Sequence, residues 1–291
     1  MSAPGRRGGG GTGVLAVPYL VGTALVVGVP LLAAGYLAMT DYHGFTDPVV
    51  TGTANLRRML ADDLFWTSLG NSAILAAIVV PLRLGLAVGC ALLLARPTRL
   101  KRGARAAVYL PSVVPDAAWA LLWLWLLNPL YGPLPLALGS LGLPSPDWLT
   151  SPWGARAGLG LVVSLQVGEA FVVAMAARQL IPARLYEAAA VEGARPGHVF
   201  RRVTLPLLAP VLVLLALRDL VAVLQITFVP VLLVTEGGPY YATLTTPLHL
   251  YQRAFTYGEL GYGSALAMTL LLITAAAVAV QALLLRRLRL I

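Results

Sequence analysis

The chain has 291 residues, 58% of them hydrophobic and 11% charged, with a formal net charge of +9 and a mean hydropathy of +0.81. Soluble domains carry about a quarter charged residues, so this composition excludes one and requires an integral membrane protein. The net charge would suit nucleic acid, but the basic residues sit in short segments between apolar runs and sort to one side, which excludes that reading.

A bilayer core about 30 Å thick needs roughly 20 apolar residues at a rise of about 1.5 Å each. Intervals 13–38, 68–95, 106–127, 157–177, 207–234 and 263–285 satisfy this. The expected organisation is a tail at 1–12, one membrane domain over 13–285 and a tail at 286–291. The first interval follows Arg6 and Arg7 as a signal peptide would, but the run from Val14 to Leu37 exceeds an apolar signal core of about 7–15 residues, so it reads as a retained span. The second holds Cys90, the only cysteine, which excludes an intrachain disulfide and reads as a packing residue. The basic loop ARPTRLKRGAR leads to the third span, where Pro111 and Pro115 predict kinks and Trp119, Trp123 and Trp125 read as part of an aromatic belt. The fourth and fifth spans flank the segment 178–206, and TEGGPYYATLTTP precedes the sixth.

With the N-terminus inside, the inner segments hold Arg6, Arg7, Arg96, Arg99, Lys101, Arg102, Arg105, Arg178, Arg184, Arg195, Arg201, Arg202, Arg286, Arg287 and Arg289. The outer segments hold Arg57, Arg58, Arg156 and Arg253 against seven acids, so both termini are expected in the cytoplasm.

Five ionisable residues fall inside spans: Arg83, Asp116, Glu169, Arg218 and Asp219. Each lies about 13–18 Å from the cytoplasmic end at the helical rise, so they could share one layer. Arg218 and Asp219 point about 100° apart and need not pair. Arg83, Asp116 and Arg218 are candidates for a buried charge network. Gln166, Glu169, Asp219, Gln225 and Thr227 are candidates for contacts along a solute path. Both readings stand on the sequence. His43, His198 and His249 lack metal-ligand spacing.

In the segment 178–206, Pro182 is placed like the first residue of a helix, ARLYEAAAVEG favours helix, and Gly193 is a stop or a point of close approach. Pro196 starts a second short helix, PGHVFRRV, and Pro206 is expected to open the fifth span. Ala189, Ala190 and Gly193 form a small-residue face with Arg184 and Glu187 as charged handles. From the residues alone this is either a protein-docking surface or an amphipathic connector.

The segment resembles the EAA loop of permease subunits in binding-protein-dependent ATP-binding-cassette (ABC) importers. That pattern is EAA, three residues, Gly, nine residues, Ile, any residue, Leu-Pro. Here it is supplied by Glu187, Ala188, Ala189, Gly193, Val203 in place of Ile, Leu205 and Pro206. SLGNSAILAAIVVPLRLGLAVGCALLL, YLPSVVPDAAWALLWLWLLNPLYG and TEGGPYYATLTTPLHLYQRAF are similar to the carbohydrate-uptake branch, in particular to the first permease of maltose and glycerol-phosphate importers. The resemblance implies an all-α, six-span type I importer permease of a prokaryotic cytoplasmic membrane. It implies that Arg184, Tyr186, Glu187, Ala188, Ala189, Gly193, Leu205 and Pro206 form the coupling surface for a cytoplasmic ATPase. It further implies two ATPase subunits, a second permease and an extracytoplasmic solute-binding protein as partners.

No GxxxxGK[ST] occurs, so ATP is expected on the partner and no cofactor on this chain. A non-carbohydrate solute and a secondary transporter working without ATP are the alternatives. A membrane enzyme would need a catalytic set, and neither GxSxG nor a metal motif is present.

Overall fold

The computed structural model describes residues 11–45, 47–95, 98–225 and 227–287. Arg6, Arg7, Arg96 and Arg289 lie outside the described residues. The regular structure of the described chain is helical apart from one antiparallel pair of two-residue strands, β1 (Thr40–Asp41) and β2 (Val49–Val50). Among the described residues, four helices are long and apolar enough to cross a membrane, and there are up to six candidate spans if each of two bent pairs counts as one.

The chain forms two units. The first holds the described residues up to Ala61 and Leu250–Thr269. Its α1 runs through Gly11–Thr23 and Val29–Leu37 with a π-helical turn, Ala24–Gly28, between them. Val17, Leu20, Val26 and Leu32 on this helix are all exposed in the isolated chain. A helix apolar all round with nothing covering it is at home in lipid. The β1–β2 turn is fastened by Asn55 on α2 (Ala54–Leu60), whose amide donates to the carbonyls of Ala38 at 3.0 Å and Thr40 at 2.8 Å. Arg58 on the same helix pairs with Glu259 at 2.6 Å and lies 4.4 Å over the Tyr262 ring.

The second unit holds Asp62–His249 and the residues from Leu270 onward. Its centre is α3 (Asp63–Leu93), which starts at Asp62, whose carboxylate accepts from the Leu64 amide at 2.9 Å as an N-cap. Next come α4 (Arg99–Tyr109), α5 (Asp116–Leu126), α6 (Pro133–Ser140), α7 (Pro152–Ser164), α8 (Gly168–Gln179) and α9 (Ala183–Val191). They are followed by α10 (Pro196–Gln225), α11 (Phe228–Val234), α12 (Thr246–Tyr251) and α13 (Leu260–Arg287); α12 and α13 each begin in one unit and end in the other.

Two apolar clusters hold α3 to its neighbours. Leu75, Ala76 and Val79 meet Leu159, Val163, Val223 and Val231. Further along α3, Ala87 and Ala91 meet Ala170, Phe171, Ala174 and Leu215. Small residues are enriched at the second contact because, in lipid, helices gain from close backbone approach rather than from apolar burial alone.

Three expected spans differ in detail. The third is a bent pair, with the run Arg99–Val113 meeting α5 at 103°. Pro115 lacks an amide proton and drives Val114 to an extended ψ of 131°, so the helix stops instead of kinking. The fourth is α7 followed by α8 at 53°. The fifth ends at Gln225, and Phe228–Val234 is a separate helix. Pro196 starts one unbroken helix to Gln225, with Pro206 inside it rather than at its start. Trp119 is buried, with its indole N–H donating to the Val162 carbonyl at 2.8 Å, and is therefore a core residue, whereas Trp125 is half exposed.

Candidate functional site

The breaks of the two bent pairs meet. The Gly168 amide donates to Ser112 Oγ at 2.8 Å. A Cβ at Gly168 would lie 2.6 Å from that oxygen and 2.9 Å from the Tyr109 Cα, so only glycine lets these backbones approach. Irregular backbone at membrane depth is tolerated where it lines a cavity. One of about 260 Å³ opens here, lined by Arg83, Ser112, Asp116, Gln166, Glu169, Arg218 and Thr227, among others.

All five ionisable residues expected within spans converge on this level. Arg83 reaches the Gln166 carbonyl and lies 3.7 Å from Asp219 Oδ1. Arg218 pairs with Glu169 and also lies 3.6 Å from Asp219 Oδ1, so its length overcomes the angle separating consecutive helical residues. Asp219 is fully buried between the two guanidinium groups and does not line the cavity. Asp116 opens the first turn of α5 and accepts from Gln166 Nε2 at 3.2 Å. Of the solute-path candidates, Gln166, Glu169 and Thr227 line the cavity, Asp219 lies behind it, and Gln225 is exposed elsewhere. Sequence reasoning missed Ser112, for which the Pro pair flanking it, Pro111 and Pro115, was the available signal.

The expected coupling segment forms α9 and the first turns of α10. Its helix starts at Ala183 with Pro182 just outside, one position later than expected. Gly193 has φ +70°, the Gly193 amide donates to the Ala190 carbonyl at 3.1 Å, and the Ala194 amide donates to the Ala189 carbonyl at 2.9 Å. This is a left-handed helix stop, and the space beyond the Gly193 Cα is open in the isolated chain. Arg184, Glu187 and Ala188 are exposed, as are Leu205 and Pro206 on α10; Ala189 is half-buried. Tyr186 turns inward: Arg178 stacks 4.0 Å over its ring, and its hydroxyl is 3.1 Å from Thr204 Oγ1.

The segment 235–246 carries left-handed backbone at Glu236 (φ 52°), Tyr240 (φ 49°) and Tyr241 (φ 59°). Each such residue costs about 1–2 kcal/mol. Side chains from two helices hold it. Asn71 Nδ2 donates to the carbonyls of Tyr241 at 2.7 Å and Leu244 at 3.1 Å, and Arg156 Nε donates to the Ala242 carbonyl at 3.0 Å. Arg156 Nη2 also donates to Asn71 Oδ1 at 3.1 Å. In the sequence Arg156 reads only as an outer charge. The result presents Tyr240 90% exposed. Trp148, by contrast, packs against Trp119, Leu127 and Val162.

Residues 82–290 match the family described as the binding-protein-dependent transport system inner membrane component. The chain is 30% identical to the sn-glycerol-3-phosphate transport system permease protein UgpA of Agrobacterium fabrum, covering 92% of each chain. It is 29% identical to the sulfoquinovosyl glycerol transport system permease protein SmoG of the same organism, over 88% of this chain and 84% of that one. It is 33% identical to the diacetylchitobiose uptake system permease protein NgcF of Streptomyces coelicolor, over 89% and 77%. Its fold is similar to a chain in the crystal structure of a bacterial alginate ABC transporter in complex with an alginate pentasaccharide-bound periplasmic protein, with a TM-score of 0.79 at 19% identity over 94% and 93%.

Proposed function

Since the chain belongs to the family of inner membrane components of binding-protein-dependent transport systems, we propose that it is the transmembrane subunit of an ATP-driven carbohydrate importer. It forms part of the path for a sugar, an oligosaccharide or a glycerol-phosphate-like polyol, the solute range of the relatives' names. The observation that carries the coupling half of the reading is α9. Its exposed face carries Ala188 and Ala190 together with Arg184 and Glu187, while its inner face is fixed by Tyr186. That arrangement suits a partner ATPase seated on the helix, whose nucleotide-driven closure moves α9 together with α10.

In this reading ATP binds the two ATPase subunits and no cofactor is held here. A second permease completes the path, and an extracytoplasmic binding protein delivers the solute. The test is uptake into vesicles containing the complete assembly. Uptake is expected only with binding protein outside and ATP inside; uptake driven by an ion gradient without ATP would make the chain a secondary transporter.

The binding protein is expected on the face carrying Tyr131, Trp153, Tyr240 and Tyr241, all more than half exposed. A photo-cross-linker at Tyr240 should capture that soluble protein, whereas adducts confined to lipid would remove this face from consideration. Both termini lie in the cytoplasm in this reading. Reporter fusions made at Ile291 and at Ala242 should report opposite sides, and equal signals would overturn the topology.

A further inference from the structure

We infer that the solute passing the intramembrane cavity is an uncharged polyhydroxyl compound, and that anionic sugars and polyol phosphates are rejected there. The inference rests on the importer reading and narrows it.

The relatives' names span both charge classes, diacetylchitobiose on one side and sn-glycerol-3-phosphate on the other, so relatedness does not decide between them. The charge arrangement of the cavity does. An anion-carrying site needs a cation whose charge is not already neutralised by the protein. Here each guanidinium group is engaged by the chain itself. Arg83 reaches the Gln166 carbonyl and faces the buried Asp219; Arg218 is paired with Glu169 and faces the same Asp219. Two guanidinium groups thus meet two carboxylates before Asp116 is considered. Asp116 accepts from the Gln166 amide at the N-terminal end of α5 and shares Arg83, within electrostatic reach, with Asp219, so three carboxylates stand against two guanidinium groups and the formal surplus on the layer is negative.

A phosphate or carboxylate entering this cavity would have to displace Glu169 from Arg218, leaving Glu169 as an unpaired carboxylate beside a second anion. Like charges at such range oppose each other. A sugar hydroxyl meets no such penalty. It donates to Glu169 or Asp116 and accepts from Arg218 or the Gln166 amide, and the Ser112 and Thr227 hydroxyls on the same wall add neutral partners. Each of these contacts leaves the ion pairs in place.

The test uses the complete assembly in vesicles with two sets of probes. The uncharged set is maltose, cellobiose and diacetylchitobiose; the anionic set is sn-glycerol 3-phosphate, glucose 6-phosphate and glucuronate. Uptake is expected from the uncharged set only. Uptake of an anionic probe at a comparable rate overturns the inference while leaving the importer reading intact, and no ATP-driven uptake of any probe removes the carbohydrate reading and the inference with it. A second arm isolates the permease from selection by the binding protein. In Glu169→Gln, Arg218 loses its carboxylate, and sn-glycerol 3-phosphate enclosed in the vesicles should inhibit uptake of the uncharged solute at a roughly tenfold lower concentration than in the parent. Equal inhibition in both would show that the layer does not discriminate by charge.

Discussion

Gly193→Leu is expected to reach the membrane at the parental level and to lose co-purification of the ATPase. Gly193 lies outside every apolar span, and a Cβ there meets nothing within 4 Å in the isolated chain, so insertion and the packing of the spans are left alone. The φ of +70° makes any branched or bulky L-residue costly at this stop, about 1–2 kcal/mol, enough to displace the turn between α9 and α10. Asn tolerates the left-handed conformation, so Gly193→Asn separates two causes. If Asn keeps the ATPase and Leu loses it, the backbone turn is what matters; if both lose it, the partner needs the empty space above Gly193. Glu187→Lys, on an exposed side chain of the same helix, should weaken docking by about tenfold, ~1.4 kcal/mol, and detach ATP hydrolysis from uptake. Normal docking and parental uptake in both Gly193→Leu and Glu187→Lys would reduce α9 to a connector.

Asp219→Ala is expected to destabilise the second unit strongly. The carboxylate is fully buried and lies within 3.7 Å of Arg83, whose side chain is 11% exposed, and within 3.6 Å of Arg218. Removing one partner of a buried pair leaves an uncompensated charge and costs about 3–5 kcal/mol. The variant should accumulate poorly and melt at lower temperature in detergent. The double variant Arg83→Met with Asp219→Leu removes both charges and should recover most of that loss, because Arg218 still has Glu169. Parental accumulation and melting of Asp219→Ala would mean that Asp219 is not the counter-ion holding this layer. Recovery in the double variant also separates the structural pair from the residues that line the cavity.

The sequence by itself determined the solvent, the helical class and the local form of the segment 178–206. These depend on local quantities: the length of apolar runs against the bilayer thickness, and the fixed gaps that set Glu187, Ala188, Ala189 and Gly193 on one helix and its stop. It also placed Arg83, Asp116, Glu169, Arg218 and Asp219 at one depth, since depth along a helix is only a count of residues. Which of them face one another was decided by the tertiary structure. Partner choice depends on helix rotation and on where helices break, and neither is fixed by hydropathy: α5 turns away at Val114 and Pro115, and α8 approaches that break only because Gly168 has no side chain. Those two local events put Asp116 beside Gln166, buried Asp219 between two arginines and left Gln225 outside the cavity. The same holds for Arg156, which counts as an outer charge in sequence and becomes, through Asn71, a clamp on the 235–246 segment once distant residues are brought together.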